Sequence, residues 1–210
     1  MSFQKRLSLG EFVVLAEMDT PKGVDISELI TNARRIKGRV DAVIIPDMAD
    51  GMMRMSALGG GVLMHQQGME AIIHVCCRDR NKIAIQAELL SAHVLGIQNL
   101  IVVRGEDMAF GDHFDARTVN DIDELDLLGA IQSLQKGVDM AGIELKGNPS
   151  FTVGCTLDPY VDDKSLEKEL ELALRKVEAG AQFIISPPVF DMEDFVSFTG
   201  KTKGLGVPII

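Results

Sequence analysis

Short, continuously apolar runs recur along the chain, separated by longer segments in which apolar residues repeat every three or four positions. A short run that does not alternate with polar residues is typical of a parallel strand buried on both faces, and its brevity favours a strand over a buried helix. Seven runs predict strands, at Phe12–Ala16, Ala42–Ile45, Ala71–Val75, Leu100–Val103, Phe151–Val153, Phe183–Ile185 and Val207–Ile210.

Two intervening helices are indicated by apolar residues at positions i, i+4, i+7 and i+11, each set followed by a glycine where a helix would end. The sets are Ile83, Ala87, Leu90 and Val94 before Gly96, and Leu166, Leu170, Ala173 and Val177 before Gly180. We expect a third helix over Ile122–Met140 and a helix that begins near Ser56.

Strands that alternate with helices predict an α/β fold with a parallel sheet and right-handed crossovers. A doubly wound open sheet and a closed barrel both fit this pattern. The first four strands begin about 30 residues apart, and no GxGxxG follows the first, which favours a (β/α)8 TIM-type barrel. Because the sequence stops within the seventh run, we expect residues 1–210 to form a single barrel domain that lacks its last βα unit.

Composition narrows the possible partners. Of the 210 residues, 46% are hydrophobic and the net charge is -10, so the sequence offers a buried core and no basic stripe for nucleic acid. No run approaches the roughly 20 apolar residues of a membrane span. The N-terminus lacks a signal-peptide pattern, and three cysteines give no disulfide framework. We therefore expect a cytoplasmic protein without a membrane span.

Polar side chains collect where the predicted strands end, which is where barrel enzymes carry out their chemistry. They are Glu17, Asp47, His74, Arg104, Gly105, Glu106, Asp107 and Thr156. A glycine after a strand lets a ligand approach the backbone closely, and an arginine beside it supplies a planar donor. Plain structural roles also fit, since Glu17 could mark where a strand meets water and His74 could be a hydrogen-bonded core residue. The adjacent Cys76 and Cys77 point to opposite faces of a strand, so buried thiols are expected there rather than a metal site.

Three segments together resemble the methylenetetrahydrofolate reductase family: LAEMDTPKGVD, LRKVEAGAQFIISPPVFD, and the stretch from MRMSALGGGV to LIVVRGED. The last contains H-x-x-C-R-D-R-N and L-G-I-x-N-x-x-x-x-R-G. The resemblance implies a barrel that binds FAD at the carboxyl ends of its strands. It also implies a ping-pong reaction in which NAD(P)H reduces the flavin, and the flavin then reduces 5,10-methylenetetrahydrofolate to 5-methyltetrahydrofolate.

The resemblance assigns roles to individual residues. Glu17 matches the general acid that helps to open the imidazolidine ring of the folate. The matched flavin contacts are His74, Arg104, Gly105 and Thr156, and those of the ribose and pyrophosphate are Glu169, Arg175 and Lys176. A basic pair suits a pyrophosphate by charge, although a solvated helix end would equally favour Arg175 and Lys176.

The sequence departs from the family pattern at three strand ends. Glu106 replaces the aspartate that follows the Arg-Gly pair, so either Glu106 or the next residue, Asp107, is expected near the flavin. Pro46 replaces a threonine, and Asp47 is expected to compensate for the lost hydrogen bond. Pro187 replaces the glutamine that binds folate, and proline has neither a side-chain amide nor a backbone N–H.

Three functions are therefore compared. The first is the FAD-dependent reductase. The second is a related flavoprotein that uses a different substrate or takes electrons from an iron–sulfur partner. The third is a barrel that binds folate without turnover. A homo-oligomer is compatible with all three.

Overall fold

Six parallel strands form one curled sheet in which each strand pairs with the next along the chain. The computed structural model describes residues 1–157 and 163–210. The strands are β1 Leu15–Glu17, β2 Ala42–Ile45, β3 Ala71–Cys76, β4 Asn99–Val103, β5 Thr152–Thr156 and β6 Phe183–Ile185. This order follows from the alternation of strands and helices, because each helical crossover places the next strand beside and parallel to the one before it. The predicted (β/α) barrel architecture is confirmed for this part of the chain.

Helices pack on the outside of the curled sheet, except for the first, which lies across the amino ends of the strands. They are α1 Phe3–Ser8, α2 Ser27–Ile36, α3 Ala57–Gln66, α4 Lys82–Val94, α5 Glu124–Gln135, α6 Asp163–Glu178 and α7 Met192–Thr202. Side-chain caps fix several of their starts, as expected for orphan N–H groups. The Ser56 hydroxyl accepts from the N–H of Gly59 at 3.3 Å and begins α3 where the sequence predicted it. Asp123 and Asp126 form a capping box at α5.

The apolar runs located the strands well, with three corrections. β1 begins at Leu15, and Phe12 is 87% exposed; just before the strand, the N–H of Val14 donates to the Asp41 carboxylate at 2.8 Å. β5 extends to Thr156 through Gly154, which had interrupted the apolar run. The last run, Val207–Ile210, makes one parallel bridge to β6 rather than a full strand.

Two helices also differ from expectation. The third predicted helix ends at Gln135 rather than Met140, because the chain turns into an antiparallel bridge between Val138 and Glu144. Helix α4 is confirmed, but the apolar series that indicated it is not its buried face. Its buried residues are Ile85, Leu89 and Ala92, whereas Ile83 and Val94 are exposed. The helix is apolar on two faces, so spacing alone could not identify the inner one.

The amino end of the sheet interior is filled by side chains. We call this group the inner cluster: Phe3, Ala42, Ile44, Ile72, Ile101 and Phe183. Phe3 is fully buried and meets the Phe183 ring edge-on, with centroids 5.3 Å apart. Gly154 makes room for that ring, since a Cβ there would lie 2.3 Å from it. The larger core lies between the outer faces of the strands and the helices.

Helix α1 covers the amino ends of the strands. The N–H of Phe3 donates to the Glu70 carboxylate at 3.1 Å, and Glu70 lies just before β3. A small space of about 210 Å³ remains beside α1, lined by Ser2, Glu70, Asn99 and Thr152. No helix in residues 1–157 or 163–210 is long and apolar enough to cross a membrane.

Because Phe3 belongs to the inner cluster and Phe12 does not, their replacement by alanine should affect stability very differently. Replacing buried Phe3 with alanine should lower the unfolding free energy by about 3–5 kcal/mol, because it leaves a cavity against Phe183. The matched control Phe12→Ala removes an exposed ring and should change it by about 0.5 kcal/mol or less. Urea unfolding measures both, and equal effects would show that α1 does not complete the core.

Candidate functional site

A cavity of about 470 Å³ opens at the carboxyl ends of the strands. We call it the mouth cavity. It is lined by side chains from β1, β3, β5, β6, the loop after β4, and α6, among them Glu17, His74, Arg104, Thr156, Glu169 and Lys176. Parallel strands present their carboxyl ends at one edge, which explains how residues so distant in sequence meet. Six of the residues predicted from the sequence are thus brought together.

A second space of about 470 Å³ adjoins the mouth cavity between α5 and α6. We call it the side cleft. Arg104, Glu124 and Leu172 line both spaces, so the two share a wall. Arg175 faces the side cleft and supplies a cation there, while Asp123 adds a negative charge. The two spaces together therefore extend from the carboxyl ends of the strands to the gap between α5 and α6.

Glu17 lies at the rim of the mouth cavity and is exposed. Partial loss of hydration at the strand end raises the pKa of its carboxyl group, and the nearby Asp19 carboxylate raises it further. Asp19 itself lies 3.6 Å from the Arg54 guanidinium. A carboxyl group with a raised pKa keeps its proton closer to neutral pH, as a general acid requires.

His74 points into the sheet interior, where it pairs in register with Ile101 of β4. Burial lowers the pKa of its imidazole to about 4. The ring is therefore neutral at physiological pH, and it offers the mouth cavity one donor and one acceptor without a charge.

Gly105 follows β4 in a backbone conformation that other residues rarely adopt, with a φ of +86°. A Cβ there would lie 2.5 Å from the Cys76 sulfur and 3.0 Å from the Cβ of Arg78. Glycine is thus required by local crowding as well as by backbone angle. Its neighbour Arg104 is exposed and reaches both the mouth cavity and the side cleft.

Glu106 and Asp107 were alternatives for a place near the flavin, and neither lines the mouth cavity. The Glu106 carboxylate lies 3.7 Å from the Arg78 guanidinium. Asp107 instead accepts from the N–H of Ala109 at 2.9 Å and caps a short helical turn. Both side chains therefore organise the loop after β4.

Asp47 was expected to replace the hydrogen bond lost at Pro46, but its side chain is buried inside the protein. Its side chain is 1% exposed and is paired with Arg80, which also pairs with Glu88 of α4. Asp47 further accepts from the N–H of Ala57 at 3.4 Å, at the start of α3. A carboxylate in this position joins three elements, and it does not line the mouth cavity.

Lys176 also differs from expectation. It was assigned to a pyrophosphate, yet it is 3% exposed and donates to the Glu124 carboxylate at 2.7 Å. Its ammonium group also donates to the carbonyl of Thr156 at 3.3 Å. Lys176 thus ties α6 to the start of α5 and to the end of β5. Arg175, exposed on the same helix, remains available to a ligand in the side cleft.

Sequence reasoning missed one charged residue that lines the site, Glu124, and one that lies beside it, Arg78. Glu124 lies in the first turn of α5, after a long loop, and so escaped a survey of strand ends. The aspartate that caps α5 was the available signal for that helix start, but nothing local indicated the distant Lys176. Arg78 did lie at a strand end and was passed over, although only 2% of it is exposed.

All three cysteines are buried and free, which confirms the buried thiols expected at Cys76 and Cys77. Burial raises the pKa of Cys76 to about 11, of Cys77 to about 12 and of Cys155 to about 11. They are therefore protonated, weakly reactive thiols at neutral pH. Within residues 1–157 and 163–210, no three histidine, cysteine or acidic side chains are grouped to hold a metal ion.

The lowered pKa of His74 predicts a pH effect on stability. An imidazole in the unfolded chain titrates near 6.5, so between about pH 6.5 and 4 the unfolded state takes up a proton that the buried ring does not. The free energy of unfolding should therefore decrease as the pH is lowered from about 6.5 to 4, by up to about 1.4 kcal/mol per pH unit. His74→Gln should lose this component in urea unfolding at pH 7.5, 6 and 5. Identical slopes for the two proteins would contradict the assignment.

The buried pair of Lys176 and Glu124 predicts a second stability effect. Glu124→Gln leaves the ammonium buried without its anionic partner and should cost about 3–5 kcal/mol. Replacing both partners, as Glu124→Leu with Lys176→Met, should recover most of that loss. The exposed Glu167→Gln on α6 is the control. A loss for Glu124→Gln no larger than for Glu167→Gln would sink the interpretation.

Known proteins share this architecture and sequence. The family model described as methylenetetrahydrofolate reductase matches residues 2–210. Methylenetetrahydrofolate reductase 2 of Saccharomyces cerevisiae is 26% identical over 165 residues, covering 72% of this chain and 26% of the yeast protein. Methylenetetrahydrofolate reductase (NADH) 1 of Arabidopsis thaliana is 27% identical over 145 residues, covering 68% of this chain and 24% of the plant protein. The chain spans about a quarter of the length of these relatives.

Among solved structures, an uncharacterized protein from Clostridium thermocellum that binds two copies of 5-methyl-5,6,7,8-tetrahydrofolic acid has a similar fold. The TM-score is 0.66 at 17% identity, over 99% of this chain and 68% of that one. The similarity of fold agrees with the family model, which matches nearly the whole chain. This chain belongs to the methylenetetrahydrofolate reductase family.

Proposed function

We propose that this chain reduces 5,10-methylenetetrahydrofolate to 5-methyltetrahydrofolate with bound FAD, with NAD(P)H as the electron donor in a ping-pong reaction. The observation that carries the proposal is the mouth cavity, where Glu17, His74, Arg104 and Thr156 converge from four parts of the sheet. Family membership supplies the reaction class, and the cavity supplies an acid beside polar groups that suit a flat heterocycle.

The residues present fit FAD. Gly105 packs closely against Cys76 and Arg78, which keeps the backbone after β4 in place beside Arg104 at the mouth cavity. Arg104 and Thr156 offer polar contacts for the ring, and His74 adds a neutral one. In the side cleft, Arg175 is the cation suited to a pyrophosphate. Lys176 supports this site through Glu124 and Thr156 rather than by binding phosphate.

When bound, FAD supplies hydride transfer, first from NAD(P)H and then to the folate. The protein's own task is to make the folate's bridging carbon electrophilic. We propose that the protonated Glu17 carboxyl donates its proton to one nitrogen of the imidazolidine ring. The bond from that nitrogen to the methylene carbon then breaks, and the carbon remains joined to the other nitrogen as an iminium ion. The raised pKa of Glu17 favours the protonated starting state.

A second function is favoured by the paired cavities. The Clostridium thermocellum protein of similar fold binds two copies of methyltetrahydrofolate. Here the mouth cavity and the side cleft have equal volumes, about 470 Å³ each, and share Arg104. A folate-binding barrel would place one pterin in each space and need no flavin.

Titration separates these two functions. Under the reductase proposal, the purified protein should take up one FAD and bind folate in addition to it, as measured by flavin absorbance and calorimetry. Two folates bound per chain, and no FAD uptake, would establish the binding barrel instead. If FAD binds but NADH and NADPH cannot reduce it while a ferredoxin-type donor can, the iron–sulfur partner predicted from the sequence replaces NAD(P)H.

Substitution of Glu17 tests its role. Glu17→Gln should retain FAD and its reduction by NAD(P)H but slow the folate half-reaction by about 10²–10⁴-fold, because the proton donor is lost. The control Glu144→Gln changes an exposed carboxylate at the opposite end of the sheet and should leave both half-reactions unchanged. A folate half-reaction unaffected by Glu17→Gln would exclude Glu17 as the acid.

The pH profile gives an independent test. The folate half-reaction should slow as pH rises through the raised pKa of Glu17, because the carboxyl group then loses its proton. Asp19→Asn removes one cause of that raised pKa, so the falling limb should move to lower pH. Stopped-flow measurement of flavin reoxidation between pH 5 and 9 records the limb, and an unmoved limb would assign it to another group.

A further inference from the structure

Arg78 makes an unusual set of contacts just beyond β3. Its guanidinium donates to both carboxylate oxygens of Asp79, at 2.7 and 2.8 Å. It also donates to two backbone carbonyls, that of Glu106 at 2.8 Å and that of Met48 at 3.1 Å. All of these contacts are made by a side chain that is 3% exposed.

These contacts connect three loops. Met48 belongs to the loop after β2, Arg78 to the loop after β3, and Glu106 to the loop after β4. The carbonyl of Arg78 in turn accepts from the N–H of Val119 at 2.8 Å, which adds the chain segment before α5. Each loop begins at a strand end at the rim of the sheet, so this one side chain contacts all three, in addition to the pair of Asp47 and Arg80 and the bond from the N–H of Met53 to Asp112.

The contact with the loop after β4 has the most direct effect on the site. Arg78 holds the carbonyl of Glu106, the residue after Gly105 and two after Arg104. The Cβ of Arg78 and the sulfur of Cys76 also form the wall that Gly105 packs against. Arg78 itself lines neither the mouth cavity nor the side cleft.

We infer that Arg78 is a positioning residue that holds Arg104 and Gly105 in the arrangement required to bind the ligand's ring in the mouth cavity. The inference rests on the proposed function only in assigning that ring to the mouth cavity. A guanidinium suits the task because it donates in several fixed directions at once, whereas an ammonium cannot reach the same acceptors with the same geometry. A displacement of about 1 Å in a binding group is enough to weaken function strongly.

The test compares Arg78→Lys with a control of similar stability. Ile85→Val trims a fully buried side chain of α4, which belongs to none of the three loops. Hydrogen exchange followed by mass spectrometry reports loop mobility, and FAD titration of each purified protein reports binding. In Arg78→Lys, the amides of residues 51–52 and 109–111, which donate hydrogen bonds within the loops after β2 and β4, should exchange about tenfold faster or more. The Kd for FAD should rise about 10- to 100-fold. Ile85→Val should show neither change at a comparable fall in Tm.

A second variant guards against loss of folding. Asp79→Asn keeps the guanidinium but weakens the pair that orients it, so exchange and Kd should change in the same direction and by less. The positioning role would be overturned if Arg78→Lys and Asp79→Asn bind FAD as Ile85→Val does, or if the loop amides exchange at the wild-type rate.

FAD uptake by the wild-type protein tests the proposed function separately from the positioning role. If that protein takes up no FAD, the same series is titrated with 5-methyltetrahydrofolate. A higher Kd for 5-methyltetrahydrofolate in Arg78→Lys than in Ile85→Val then supports the positioning role for a pterin ring. Wild-type protein that binds neither ligand would overturn both the proposed function and the positioning role.

Discussion

The structure depends on how the interior of the curled sheet is filled. Inward-facing side chains from three strands meet Phe3 of α1 and the ring of Phe183, and Gly154 gives that ring its space. Because apolar side chains occupy the amino end, polar groups can face the carboxyl end without leaving a void beneath them. The burial of His74 and its neutral imidazole follow from the same arrangement, since the ring stands directly above this packed layer.

The elements around the carboxyl end are held in part by three cations, of which Arg78 and Lys176 are buried and Arg80 is half-buried. Arg78 binds loop carbonyls, Arg80 lies between Asp47 and Glu88, and Lys176 joins Glu124. Pairing is needed because an isolated charge is costly to bury. The cations on the ligand-facing side, Arg104 and Arg175, are exposed. The internal cations therefore hold the elements around the site in place, whereas the exposed Arg104 and Arg175 are available to bind a ligand.

The sequence predicted well what depends on neighbouring residues and poorly what depends on distant ones. Apolar runs located the strands because burial on both faces acts residue by residue, and the residues at the ends of those strands included Glu17, His74, Arg104 and Thr156 of the mouth cavity. The roles of Asp47 and Lys176 could not be read locally, because their partners Arg80 and Glu124 lie 33 and 52 residues away. The inner face of α4 was missed for a similar reason, since only packing distinguishes its two apolar faces.

The contact between Phe3 and Phe183 also constrains the order of folding. Phe3 is made among the first residues of this chain, whereas Phe183 lies on the last of the six strands. Until that strand is synthesised, α1 lacks its main aromatic partner, and the first βα units have an unfinished interior. Such long-range contacts delay completion of the core, and the nascent chain exposes apolar strand faces meanwhile. The inner cluster is thus complete only after β6 has been made.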